Sequence, residues 1–203
     1  MPTSATRLPL EPVRGYRRVF HAVPRPIELS GGALNLLIGV PGAGKTTYCG
    51  QAIKAGQLGV RVSLDDARAQ LGAGAYDQTV TPQAVAYVAD QVDQLLSQHK
   101  EVTVDATSST AAERATWVTL AKKHGVPAIA HWLTTSTADA MRHNAPRTHP
   151  VPGTVIAEMG HRLGMLTVNA LYGEGIAAVI EVRSTHLHRA HRITSPLQPG
   201  RHR

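Results

Sequence analysis

The chain holds a single cysteine, Cys49, among 203 residues, which excludes an internal disulfide. Placed inside an expected helix, Cys49 reads as a small hydrophobe rather than a nucleophile. Aromatic residues are equally scarce, at 4% with one phenylalanine, so the core must be assembled from Ala, Val, Leu and Ile. No apolar stretch approaches the roughly 18 residues of a membrane span. The N-terminal arginines have no apolar run behind them, so no secretory leader is expected. A reducing, cytoplasmic compartment fits these absences. The length suits one α/β domain better than two of ordinary size.

Acidic residues are missing where the chain is most basic. Residues 184–203 carry four Arg and no acid, and residues 1–33 carry five Arg against two acids. Residues 34–183 balance twelve Lys plus Arg against twelve Asp plus Glu. The net charge of +7 is therefore the sum of +3, +4 and 0 over those three segments. Basic arms of this kind either supply non-specific affinity for phosphate backbones or are solvated ends. The division predicts an irregular arm over 1–33, a catalytic body over 34–183 and a disordered tail over 184–203. The tail histidines His186, His188, His191 and His202 form no convincing ligand set.

What the body does contain is periodic alternation. Buried strands are expected at 34–38, 60–64, 101–105, 128–133 and 177–182, and a short added strand at 19–23. Helices are expected at 47–55, from Thr81-Pro82 onward, at 111–123 and from Pro152 onward, each with an apolar face. Repeated βα units of this kind predict a parallel sheet flanked by helices.

The first such unit carries the decisive motif. Gly39-Val40-Pro41-Gly42-Ala43-Gly44-Lys45-Thr46 stands between an apolar strand and a helix, the context a phosphate-binding loop needs. Its glycines let backbone N–H groups turn toward phosphate oxygens, and the helix N-terminus adds a favourable dipole. The nucleotide would rest on Gly39, Pro41, Gly42, Ala43, Gly44, Lys45, Thr46 and Thr47. Lys45 would reach the β- and γ-phosphates of ATP, and the Thr46 hydroxyl would hold Mg²⁺.

Three further groups follow later strands and are delivered to the same sheet edge. Asp65-Asp66-Ala67-Arg68 offers a carboxylate to orient a hydroxyl acceptor, the other aspartate capping the next helix. Asp105-Ala106-Thr107-Ser108 ends a strand in a carboxylate suited to Mg²⁺, a bound water or the acceptor, with hydroxyls for a phosphate or sugar. The segment 142–152, a Pro-rich break between two helices, has the composition of a mobile lid, with Arg142 and Arg147 available to close over a triphosphate.

In order and spacing these motifs resemble the 5′-hydroxyl polynucleotide kinase family, from about Leu34 to Leu163. The resemblance implies a P-loop kinase-like sheet with a helical lid, using ATP and Mg²⁺. It implies that Asp65 is the general base, that Arg68 engages the acceptor strand, and that Asp105 and Thr107 line the acceptor groove. It makes Arg147 the lid arginine on the donor phosphates. Two positions depart from the family pattern: His143 replaces the first lid arginine, and Ser108 stands where asparagine is common. The expected reaction moves the γ-phosphate of ATP to the 5′-hydroxyl of RNA or DNA, with no membrane and no obligate protein partner. A kinase of a nucleoside, sugar nucleotide or antibiotic shares the loop, base and lid and remains the alternative. A nucleotide-dependent binding module without transfer is the third reading.

Overall fold

A computed structural model describes residues 12–21 and 32–185. Most of the two arms, including the four tail histidines, lies outside the described residues. The strands are β1 (Tyr16–Phe20), β2 (Leu34–Ile38), β3 (Val60–Ser63), β4 (Val102–Asp105), β5 (Ala128–Leu133) and β6 (Ala178–Ser184). The helices are α1 (Lys45–Lys54), α2 (Leu64–Leu71), α3 (Thr81–Ser97), α4 (Ala111–Lys123), α5 (Thr137–Asn144), α6 (Gly153–Gly164) and α7 (Val168–Gly173).

The strands form one sheet in the order β1-β6-β5-β2-β4-β3. From β6 to β3 every neighbouring pair is parallel. β1 runs antiparallel to β6, so the sheet is mixed at that edge, where a purely parallel one was expected. The added strand also begins three residues before its expected position, and the Ala22-Val23 part of that expectation lies outside the described residues. An edge strand solvates one side, so Arg17 stays exposed there without cost to the ladder.

β2 is buried throughout, as a central parallel strand covered on both faces must be. Chain direction across the sheet reverses at β2, whose neighbours are β4 on one side and β5 on the other. Ligands of open parallel sheets bind at the carboxyl ends of the strands beside such a reversal. The glycine loop leaves β2 at that point.

The helices cover the faces by ordinary means. α3 begins with Pro in its first turn and buries Ala84, Val88, Val92 and Leu96 in one stripe. Burial of each Val or Leu there contributes about 1.5–3 kcal/mol. α4 starts in a capping box, Thr110 accepting from the Glu113 amide while Glu113 returns to the Thr110 amide. Together these features give the P-loop kinase-like fold: a mostly parallel sheet flanked by helices.

Candidate active site

Two glycines shape the loop. Gly44 stands at the α1 N-cap with φ 91°, a left-handed conformation. Gly42 has φ 83°, and a Cβ there would lie 2.1 Å from the Ala140 carbonyl oxygen, inside any contact distance. The loop is braced from outside as well. The Thr135 hydroxyl donates to the Ala43 carbonyl at 2.9 Å, and the Gly39 amide donates to the Thr107 carbonyl at 3.1 Å.

Lys45 lies folded into this ring, donating to the Gly39 carbonyl at 2.8 Å and the Val40 carbonyl at 3.0 Å. Burial lowers its ammonium from 10.5 to about 8, while Asp105 and then Asp65 draw it upward and Arg147 pushes it down. Three segments far apart in sequence thus place charge on one amine: the β4 end, the start of α2, and the loop between α5 and α6.

On the β4 side, the Thr46 hydroxyl donates to Asp105 Oδ2 at 2.9 Å. Asp105 is only 6% exposed, and the same oxygen accepts from Arg61 Nε at 2.8 Å. Arg61 also reaches Asp66 at 2.7 Å. Asp105 is thus turned to the loop's Thr46, on the metal side of its open alternatives. One expectation is corrected. Asp66 does not cap α2; the cap is the Ser63 hydroxyl, which accepts from the Asp66 amide, leaving the Asp66 carboxylate for Arg61. Sequence reading missed Arg61. Its signal is faint but present, a cation alternating with two valines in Val60-Arg61-Val62.

Asp65 is exposed and pairs with Arg68 one turn later. Arg68 also donates to the Ala75 carbonyl at 3.0 Å, so its guanidinium is held beside the carboxylate. Ser108 is a second correction. Its φ of 44° turns the side chain inward, it is 1% exposed, and its hydroxyl meets no partner among the described residues. The hydroxyl expected to meet an acceptor is therefore inside the protein, where buried Arg114 holds the Ser108 carbonyl at 2.9 Å. Arg114 in turn forks both Glu174 oxygens at 2.6 Å. Ser109 receives Arg162 of α6 at 3.2 Å, a contact the sequence does not announce.

The segment 142–152, expected to act as a lid, runs from the last turn of α5 through a loop to the start of α6. Asn144 ties the base of its loop, donating to the Val151 carbonyl at 2.8 Å and accepting from the Val151 amide at 3.1 Å. Arg142 points away and pairs with Asp139. His143 faces the phosphate loop instead, with Nδ1 3.1 Å from the Gly42 carbonyl. His143 and Arg147 both line a cleft of about 250 Å³ beside Gly42, Ala43 and Gly44.

The model for the AAA domain family matches residues 34–166. The chain belongs to that family. The matched segment of this AAA domain spans the loop, both aspartate groups and the segment 142–152. A chain in the structure of the Pnkp1/Rnl/Hen1 RNA repair complex is similar with a TM-score of 0.58 and 22% identity, over 66% of this chain and 44% of that one. A second structure of the Pnkp1/Rnl/Hen1 complex gives a TM-score of 0.50 and 24% identity, over 60% of this chain and 40% of the other. The chain thus spans less than half the length of either. The APS kinase CysC of Mycobacterium tuberculosis, solved with AMPPNP and APS, is similar at 20% identity and a TM-score of 0.46, over 67% of this chain and 76% of that one. No curated protein matches the sequence.

The donor set around the loop fits Mg²⁺. Thr46 offers an exposed hydroxyl beside a carboxylate, both hard oxygen groups. Among the described residues no cluster of three or more His, Cys, Asp or Glu stands ready as an all-protein cage. Mg²⁺ is ordinarily held by one or two protein oxygens together with substrate phosphates and water.

Proposed function

We propose that this protein is an ATP-dependent kinase that moves the γ-phosphate to the 5′-hydroxyl of an RNA or DNA end. The observation that carries the reading is the charged surround of the loop: Thr46 bonds the Asp105 carboxylate at 2.9 Å, and Asp65 and Arg147 act on the buried Lys45 ammonium. A loop that only gripped a nucleotide has no use for a second carboxylate and a lid cation at its mouth.

In this reading the loop amides and Lys45 hold the β- and γ-phosphates. Thr46 would hold Mg²⁺, with Asp105 orienting its hydroxyl, and the ion would supply charge neutralisation at the phosphates. Asp65 accepts the proton of the acceptor hydroxyl as the new O–P bond forms. The bond from the γ-phosphorus to the β-phosphate oxygen breaks, and ADP carries away that electron pair. Lys45 and Arg147 face the negative charge on the transferred group. Arg68 keeps Asp65 aimed until the acceptor arrives.

One observation favours a small hydroxyl compound as acceptor: residues 34–183 are electrically neutral, twelve cations against twelve anions. A polynucleotide channel is ordinarily basic. The two are separated by offering γ-labelled ATP and Mg²⁺ with 5′-hydroxyl and 5′-phosphorylated RNA and DNA, 3′-mononucleotides and free nucleosides. Label on the 5′-hydroxyl oligonucleotides alone, lost in Lys45→Ala and Asp65→Ala, is the expected result. Label on nucleosides alone overturns the polynucleotide assignment.

A further inference from the structure

Two residues outside the family-matched segment stand at the mouth of the nucleotide loop. Tyr16 opens β1 and pairs in register with Ser184 at the end of β6. The Tyr16 hydroxyl lies 3.4 Å from the Gly44 carbonyl. Its ring packs edge-on against Tyr48 of α1, with centroids 5.1 Å apart and planes at 73°. Tyr48 is itself fixed, its hydroxyl 2.8 Å from His131 Nδ1 of β5. The half-buried Tyr16 ring is thus a held surface. Burial also raises the pKa of its phenol, which is protonated at neutral pH in any case.

Strand order assigns this surface a side. Asp65 follows β3 and Asp105 ends β4, on one flank of β2. Tyr16, Ser184 and Thr135 belong to β1, β6 and the end of β5, on the other flank. In-line phosphoryl transfer places the entering and leaving oxygens on opposite sides of phosphorus. If the acceptor enters beside Asp65, the leaving ADP must extend away from it, across Thr47 and into the cleft lined by Tyr16, Ser184 and Arg147.

We propose that Tyr16 and Ser184 form the wall that receives the ribose and base of the donor nucleotide. The proposal rests on the kinase reading for the direction of the donor. An aromatic face with one polar tip suits a flat base or a sugar edge, and a serine beside it adds a donor and an acceptor. The antiparallel edge strand then belongs to the site, where the matched segment alone would leave that side of the cleft open.

The test is calorimetric titration of the full chain, with Mg²⁺, against ATP, ADP and inorganic tripolyphosphate, using wild type, Tyr16→Ala and Tyr16→Phe. Tripolyphosphate reports the loop alone. Tyr16→Ala is expected to weaken ATP and ADP about tenfold, the order of one lost aromatic stacking contact. Tripolyphosphate affinity should hold, which also shows that the variant is folded. Tyr16→Phe, which keeps the ring, should lie between. Equal losses for ATP and tripolyphosphate would mean that Tyr16 acts only through the loop, and would overturn the proposal. So would no change for either ligand, or a wild type that binds ATP no better than tripolyphosphate. If the ATP preference depends on Tyr16 yet no 5′-hydroxyl oligonucleotide is labelled, the acceptor assignment fails and the donor wall stands.

Discussion

Thr46 and Asp105 share a hydrogen bond of 2.9 Å, joining the last residue of the phosphate loop to the last residue of β4. The bond holds the Thr46 hydroxyl where, in the proposed reading, it would meet Mg²⁺. Asp105 is in turn shared with Arg61, so three residues from three elements form one network.

Asp105→Asn should therefore keep the fold but misorient Thr46. The amide oxygen still accepts a bond, while the charge facing Mg²⁺ and Arg61 is gone. The expected outcome is a rise of about tenfold or more in the Mg²⁺ concentration for half-maximal transfer, as outer-shell partners of metals typically give. An unchanged Mg²⁺ dependence would remove Asp105 from the metal side.

The Lys45 ammonium predicts a pH dependence with a definite sign. Its folded value of about 8 lies below the ordinary 10.5, so between those limits the unfolded chain binds more protons and stability rises with pH. ATP acts in the opposite direction. Phosphate oxygens draw the proton back, so affinity should be level below pH 8 and fall above it, by up to tenfold per pH unit. Titrations from pH 7 to 10 check this, and Lys45→Arg should flatten the fall.

His131 sets the acid side. Buried between Tyr48 and the Asn35 side-chain oxygen, it is lowered from 6.5 to about 3 by burial and then by Arg18. As pH falls below 6.5 the unfolded chain takes the proton first, and stability should drop by about 1.4 kcal/mol per pH unit. Urea unfolding at pH 7, 6 and 5 measures the slope. His131→Leu should be less stable at pH 7 and show a shallower slope.

Gly42→Ala probes the loop's fit against α5. The added methyl meets the Ala140 carbonyl and forces a φ that only glycine takes freely. ATP binding should fall by two orders of magnitude or more, with a cost of about 1–3 kcal/mol in stability from backbone strain. Normal ATP affinity in this variant would mean that α5 moves freely away from the loop.

Arg114→Ala removes a buried cation that holds Glu174 and the Ser108 carbonyl. The orphaned acceptors should cost on the order of 3 kcal/mol, read as a lowered urea midpoint. Glu174→Gln, which keeps an acceptor, should cost less.

The parts of this site carried by short-range chemistry were legible in the sequence. The loop glycines, the Ala111–Lys123 helix and the Ala128–Leu133 strand follow from local pattern, and the structure has them at those positions. The expectation that Asp65 and Arg147 share an edge with Lys45 came from the rule that parallel strands deliver residues to one edge, and both act electrostatically on the Lys45 ammonium. Long-range pairing was not legible. Arg61 with Asp105, Arg114 with Glu174 and Arg162 with Ser109 join residues 44, 60 and 53 positions apart, and no spacing encodes such meetings. Ser108 misled for another reason: a hydroxyl in a turn looks available, and only the sign of φ decides which way it faces.

The pairing of β1 with β6 has a consequence for how the molecule is born. Tyr16 leaves the ribosome early and Ser184 late, so the strand that begins the described chain waits unpaired until the other end of the sheet arrives. Closing so large a loop is slow compared with forming the helices and the β2–β5 neighbours. The loop of β2 is thus complete in sequence long before the wall beside it, which cannot exist until synthesis has passed β6. The two halves of the donor site are assembled by opposite ends of the described chain.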